Sequence, residues 1–258
     1  MQISISNAIG GGGGAQGSGG GSSFASTNSF IFGGNDDYID TNSTYSELNG
    51  TTQASWSYWV KPTLGTAMVL SRVSSSTSTS AFVHMFYLFS TGEVGAAIGD
   101  TTRRARTGSN VLTDNVWSHI LVCYDGTLSN GSKTKIFING LPATDSDSTT
   151  STSLVNANYP LSIGRRDQTP TYYYNGNMDE IAIWSATDLR NDASTIYNLG
   201  VPNNLNDNGL TAPTTWFRMG EEANYTGGEW TLVDQGSGSN NGSSTTLPPE
   251  ALSTDVPT

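Results

Sequence analysis

Apolar residues in this chain recur at every second position over short stretches, and Gly, Ser, Thr and Asn fill the gaps between them. Trp56, Tyr58 and Val60 share one face of the segment 56–60, and Val94, Ala96 and Ile98 alternate in the same way after a turn at Thr91–Gly92. A repeat of two is the strand signature. Residues 82–89 are apolar on both faces, as a strand inside a packed sandwich would be. Further strands are expected at Phe30–Phe32, Met68–Leu70, Trp117–Tyr124, Lys135–Ile138, Leu161–Gly164, Ile181–Trp184 and Trp216–Met219. Pro62 closes the strand before it because proline cannot donate to a ladder. Asn139–Gly140 predicts a tight hairpin, since both residues accept positive φ. One helix is expected from Asp188 to Gly200: Asp188 is its cap, Leu189, Ala193, Ile196 and Tyr197 supply the 3–4 spacing, and Gly200 ends it. Short strands separated by turn signals predict an all-β fold, a two-sheet antiparallel jelly-roll sandwich with one short helix.

The length of 258 residues suits a single large sandwich. A chain of this size buries roughly 70% of its unfolded surface, so its core needs no covalent staple. The formal net charge of -11 argues against a nucleic-acid partner, which wants a basic face, and leaves carboxylates available for cations. The single cysteine, Cys123, lies in the apolar run Ile120–Tyr124 and reads as a small buried hydrophobe. No apolar run reaches the length of a membrane-spanning helix. The first residues, Met1–Ile5, lack the basic and apolar regions of a secretory signal. The Asn-x-Ser/Thr triplets at Asn42, Asn49, Asn130, Asn224 and Asn241 are then expected to follow from composition. Residues 1–23 stand apart as a Gly-rich N-terminal arm. Ile3, Ile5, Ala8 and Ile9 precede a Gly/Ser tract, which fits either an anchor with its tether or a flexible linker. The expected organisation is an arm at 1–23, a sandwich at 24–200 and a tail at 201–258 that adds a strand to the same sandwich.

Six segments carry a family resemblance. In order they are SFIFGGNDDY at 29–38, WSYWVKP at 56–62, NVWSHILVCY at 115–124, KIFING at 135–140, PLSIG at 160–164 and YNGNMDEIAIW at 174–184. This series resembles the laminin-G-like branch of the concanavalin A-like lectin/glucanase superfamily. The chain departs from that pattern at Ser118, in place of the first His of a Trp-His-His run, and at Asn139, in place of the Asp of an Asp-Gly turn. The tail motif WFRMGE at 216–221 is similar to the family's opening strand, displaced to the end of the domain. Terminal domains of this kind resemble those on tailed-phage virion proteins. The resemblance therefore implies a structural, non-catalytic virion protein, a capsid decoration or a head- or tail-fibre module at the virion surface. Residues 1–23 would contact other virion proteins, and homo-oligomers are compatible with this. The alternative is a carbohydrate-binding adhesin module, on a particle or extracellular, with a cell-surface glycan as partner.

The resemblance also implies a calcium ion at the sandwich rim, for which Asp36, Asp37 and Asp179 are the candidate ligands; Asp36 and Asp37 equally suit an Asx-capped turn. His84 and His119 lie among apolar strand residues and read as packed histidines. Glucanases of the superfamily resemble a strand that carries carboxylates at alternating positions. Here Ala182 and Trp184 follow Glu180 on its face, so the acid/base pair is missing. For a ligand, Tyr172, Tyr173 and Tyr174 could stack on sugar rings, and Arg103, Arg104, Arg106, Arg165 and Arg166 could grip carboxylates or phosphates. Those tyrosines could equally cover a sheet edge, and those arginines could equally bind protein.

Overall fold

A computed structural model describes residues 24–41, 43–73, 82–99, 104–166 and 172–258. The strands of its first half are β1 (Ser29–Gly33), β2 (Ile39–Thr41), β3 (Gln53–Pro62), β4 (Ala67–Val73), β5 (Phe82–Leu88), β6 (Val94–Ile98), β7 (Arg104–Thr107) and β8 (Ser118–Asp125). They continue as β9 (Thr134–Ile138), β10 (Leu141–Pro142), β11 (Thr144–Asp147), β12 (Ser162–Ile163) and β13 (Asn175–Ser185). The tail adds β14 (Thr215–Phe217), β15 (Ala223–Thr226), β16 (Glu229–Leu232), β17 (Gly242–Ser244) and β18 (Leu252–Ser253). Among the described residues one α-helix, α1, spans Ala193–Tyr197.

Two antiparallel sheets result. The first runs β10-β9-β8-β3-β13-β1-β18, with β14 also paired to β13; the second runs β11-β7-β6-β5-β4-β12-β2-β17-β16-β15. Alternation assigns the faces. Trp56, Tyr58, Val60, Ile120, Val122, Ile181 and Ile183 of the first sheet meet Val69, Phe86, Ala96, Ile98 and Ile163 of the second in one core. The outer face of the first sheet is apolar as well. Leu121, Cys123, Ala182, Trp184 and Trp216 are roofed there by Leu189, Ala193, Ile196 and Leu205. Burial in this layer pushes the Cys123 thiol up to about 12, so it stays a protonated apolar group.

Two sequence expectations change. The helix begins at Ala193 rather than after Asp188, because the Asp188 side chain is spent on Arg190: it accepts from the Arg190 backbone N–H at 3.1 Å and pairs with the guanidinium. The tail gives five strands instead of one. β14 continues the side of β13 that β1 leaves, β17 joins β2 to β16, and β18 flanks β1. The Asn139–Gly140 turn forms with φ of 50° and 75°, and the Asn139 side-chain oxygen accepts from the His119 N–H at 2.8 Å.

Gly176 shows how closely the central strands approach. Its φ is +128°, and a Cβ there would meet the Lys61 carbonyl at 2.3 Å and Pro62 Cα at 2.9 Å. Both atoms are backbone, so neither can yield. Gly176→Ala is expected to cost about 3 kcal/mol, through overpacking and backbone strain together. A urea midpoint unchanged from the parent protein would contradict this.

Candidate functional site

The outer face of the second sheet carries a small apolar floor of Met68, Val73 and Ala97, with Tyr87 packed against it. On β5, period two places Tyr87 opposite in sense to Phe86, and Phe89 follows on the same side. The two rings stack at 6.0 Å and 22°. β7 runs beyond β6 and lays its arginines over them: Arg104 Cζ is 5.3 Å from the Tyr87 centroid, and Arg106 Cζ is 4.8 Å from that of Phe89. Arg106 also donates to Glu93 at 2.9 Å. Burial raises the Tyr87 phenol above its ordinary value, while the charges of Arg104, Arg166 and Arg106 pull it back and Tyr172 pushes it up. The charges of three guanidinium groups and a second tyrosine therefore reach this one hydroxyl.

A second stack adjoins the first. Arg165 lies 3.4 Å over the Tyr38 ring and donates to both Asp40 carboxylate oxygens, at 2.9 and 3.2 Å. The Arg165 carbonyl accepts from Ser71 Oγ of β4, which ties this stack to the same sheet. Tyr172 is 47% exposed, and its carbonyl accepts from the Met68 N–H at 2.8 Å, so its loop is fastened to the rim of the patch.

The structure thus gathers Arg104, Arg106, Arg165, Arg166 and Tyr172 on one face. Tyr173 is half-buried at its margin. Tyr174 does not belong: it is fully buried, its hydroxyl donates to the Asn177 carbonyl at 2.8 Å, and it packs edge-on against Phe32. Its ring is core, which corrects the expectation of a sugar platform there. Arg103 lies outside the described residues. Tyr38, Tyr87, Phe89 and Glu93 were not foreseen, although the alternation of β5 already sets Tyr87 and Phe89 on the face away from Phe86.

The calcium set does not assemble. Asp37 accepts from the Gly33 N–H at 2.6 Å, as a turn cap does, and Asp36 is exposed. Gly33 faces Asn175 on β13, four residues before Asp179, so Asp179 lies about 13 Å further along the sheet. Asp179 therefore does not share a site with Asp36 and Asp37. Asp179 instead joins Glu180 and Glu221, with carboxylate oxygens within 4.8 Å of one another. A bulge between Asp179 and Ala182 brings this about: it turns Asp179 and Glu180 to the same outer face, with Glu180 at a φ of 48°. Donors already cover these oxygens. Ser26 Oγ donates to Asp179 at 2.7 Å, Trp216 Nε1 to Glu180 at 2.6 Å, and the Asn28 N–H to Glu221 at 3.0 Å. Arg218 supplies the positive charge, 3.4 Å from Glu180 and 3.7 Å from Glu221. Burial raises both neighbours; Glu180 is pushed up to about 7, with Arg218 opposing the shift. This arrangement clamps residues 24–28 to the sheet: Phe24 stacks on Trp216 and under Arg218. The adjoining cavity, lined by Ser57, Trp59, Glu180 and Asn203 among others, has a volume of about 10 Å³, room for one water.

Comparison with known proteins bears on the fold. The chain resembles the SAP-like pentraxin of Limulus polyphemus, a native heptamer, with 16% identity and a TM-score of 0.53 over 67% of this chain and 82% of that one. It also resembles the NanB sialidase of Streptococcus pneumoniae in its K499G form, with 14% identity and a TM-score of 0.53 over 80% of this chain but only 33% of the sialidase. The CBM40 of the Ruminococcus gnavus IT-sialidase, solved with alpha2,3 sialyllactose, aligns with 11% identity and a TM-score of 0.48 over 67% of this chain and 99% of that one. No curated protein matches in sequence. The family profile described as the concanavalin A-like lectin/glucanases superfamily matches residues 32–194, well over half of the chain. With two antiparallel sheets in jelly-roll order beneath that match, the chain belongs to the laminin-G-like family of the concanavalin A-like lectin/glucanases superfamily.

Proposed function

We propose that this protein is a non-catalytic glycan-binding module whose site is the outer face of the second sheet, and that its ligand carries carboxylate or sulfate groups. The observation that supports this most is the row of guanidinium groups placed over rings, Arg104 over Tyr87 and Arg106 over Phe89, with Arg165 over Tyr38 beside them. A guanidinium presents its N–H donors as a planar fork, the geometry that pairs with a planar or tetrahedral oxyanion, and it also stacks on aromatic faces. The patch gathers four arginines, of which Arg106 pairs with Glu93 and Arg165 with Asp40, on a chain whose net charge is -11. Exposed Tyr172 at the rim offers a ring face to a sugar.

A glycosidase reading has little support. Ala182 and Trp184 occupy the positions after Glu180 where carboxylates would be needed, and Asp179 and Glu180 lie beneath Ser26, Trp216 and Arg218. The virion role suggested by the sequence depends on residues 1–23, which lie outside the described residues. A glycan-binding module acts where glycans are displayed, which suits a particle surface or an extracellular setting.

The test is a glycan array spanning neutral, sialylated, uronate-containing and sulfated glycans. The parent protein is expected to bind within the anionic set. Arg104→Ala combined with Arg166→Ala is expected to weaken that binding by 10-fold or more, since a charge-assisted hydrogen bond contributes about 1.5–3 kcal/mol. An array with no bound glycan of any class would overturn the reading.

A further inference from the structure

Between the sheets, three residues hold more hydrogen-bond donors than the protein uses. Arg72, His84 and Trp56 are all fully buried. Arg72 and His84 stand directly opposite each other on β4 and β5, and the His84 ring lies 5.0 Å from that of Trp56 on the facing sheet. Arg72 Nη1, Trp56 Nε1 and both His84 ring nitrogens have no hydrogen-bond partner among the described residues. The rest of the guanidinium is satisfied by neutral acceptors: Nε donates to the Tyr159 carbonyl at 3.1 Å, and Nη2 to the Ala157 carbonyl at 2.6 Å, to Asn49 Oδ1 at 3.0 Å and to the Thr44 carbonyl.

The chemistry of the unspent atoms is one-sided. Nη1 brings two hydrogens, the indole one and a neutral imidazole one, against a single imidazole lone pair. Tyr58 Oη, two residues along β3 from Trp56, is a further hydroxyl without a partner. A water can accept only two of these four hydrogens, and it must also place two of its own, on the imidazole lone pair and the Tyr58 hydroxyl. The charge is equally uneven. Arg72 makes no ion pair among the described residues, and Glu47, whose charge reaches it, is held by Asn240 at 2.8 Å. The Trp56 and Phe86 rings, with centroids 5.1 Å apart and planes at 60°, line the same part of the core. Burial and the Arg72 charge both keep His84 neutral, so it contributes one donor and no second cation.

We propose that Arg72, His84 and Trp56 form an interior binding site for a small monovalent anion of the halide class, held between the two sheets. The anion neutralises the guanidinium and accepts the N–H groups that the fold leaves over. The site is separate from the basic face outside the second sheet, since Arg72 and His84 project into the core and Tyr87 away from it.

Crystals of the full chain grown or soaked in bromide would give an anomalous peak bracketed by Arg72, His84 and Trp56. In solution, at fixed ionic strength, replacing gluconate by chloride is expected to raise the melting temperature and to saturate as one site does. Trp56→Phe keeps a ring in the core and removes only the N–H, so it is expected to fold and to need about 10-fold more chloride for half of the effect. Three results would each overturn the proposal: bromide only on surface arginines as an adventitious ion, a water at the interior position, or equal melting temperatures in chloride and gluconate.

Discussion

A chain ending at Gly200 is expected not to fold, although the family match stops at residue 194. Phe217, Met219, Trp230, Leu232 and Leu247 of the tail are buried in the same core as the strands before them. Burial of each large apolar side chain contributes about 2 kcal/mol, so these five amount to about 10 kcal/mol, comparable to the whole stability of a domain. The loss is also structural. Without β14, β13 would expose its ladder over Ile181–Ile183, and without β17 the edge of β2 would be open beside Ile39. The truncated chain is expected to give a near-ultraviolet circular dichroism spectrum without fine structure and no cooperative urea transition. Trp230→Ala in the full chain tests the same contacts more gently; the lost edge contact with Phe30, at 4.9 Å, and the cavity left behind are expected to cost about 3–5 kcal/mol. A sharp urea transition from the chain ending at Gly200 would show the tail to be an accessory.

Stability is expected to pass through a broad maximum near pH 5–6 and to fall on both sides. His84 and His119 are fully buried, and burial holds both below the ordinary imidazole range, His119 at about 3. The unfolded chain takes up these protons first, so the stability they contribute is complete above about pH 6.5 and is lost as the pH falls below it. For His119 alone the full loss is about 5 kcal/mol. Glu180 behaves in the opposite sense. Its folded form keeps a proton up to about 7, so its contribution is complete below its unfolded value of 4.5 and is lost as the pH rises towards and through 7, a change of about 3 kcal/mol. Asp179 beside it shifts in the same direction. Between the two limbs the slopes oppose each other. Urea midpoints measured from pH 3 to 9 would trace this shape. His119→Gln, which can keep the contact with Ser57 Oγ at 2.8 Å, is expected to flatten the acid limb, and Glu180→Gln the alkaline limb. A midpoint that rises steadily through pH 8 would contradict the assignment.

Alternation was enough to place most strands, because Trp56, Tyr58 and Val60 must face a core whatever lies opposite. Arg104 and Arg106 were expected in or near loops at one end of the sandwich; β7 instead sets them on a sheet face. What local patterning cannot express is which distant strand lies alongside. The Tyr87–Arg104 stack depends on β5, β6 and β7 being neighbours in register, and Tyr38 meets Arg165 only because β2 pairs with β12. The acidic triad failed for a different reason. A bulge breaks the period of two at Glu180, and the third carboxylate, Glu221, comes from a loop 41 residues later. Tyr174 misled because its run of three tyrosines hides a change of role, from exposed rim at Tyr172 to core at Tyr174, within two residues.

The pairing of β18 with β1 has a consequence for architecture. Ser29 faces Ser253, and Ser29 Oγ donates to the Asp255 carbonyl at 2.7 Å, while Asp255 is itself clamped by Lys61 and Trp117. The first and last strands of the described chain therefore lie side by side in one sheet. Spliced into an exposed turn of a host protein, such a unit would hang from it as a side branch, and the two halves of the host would stay as close together as before.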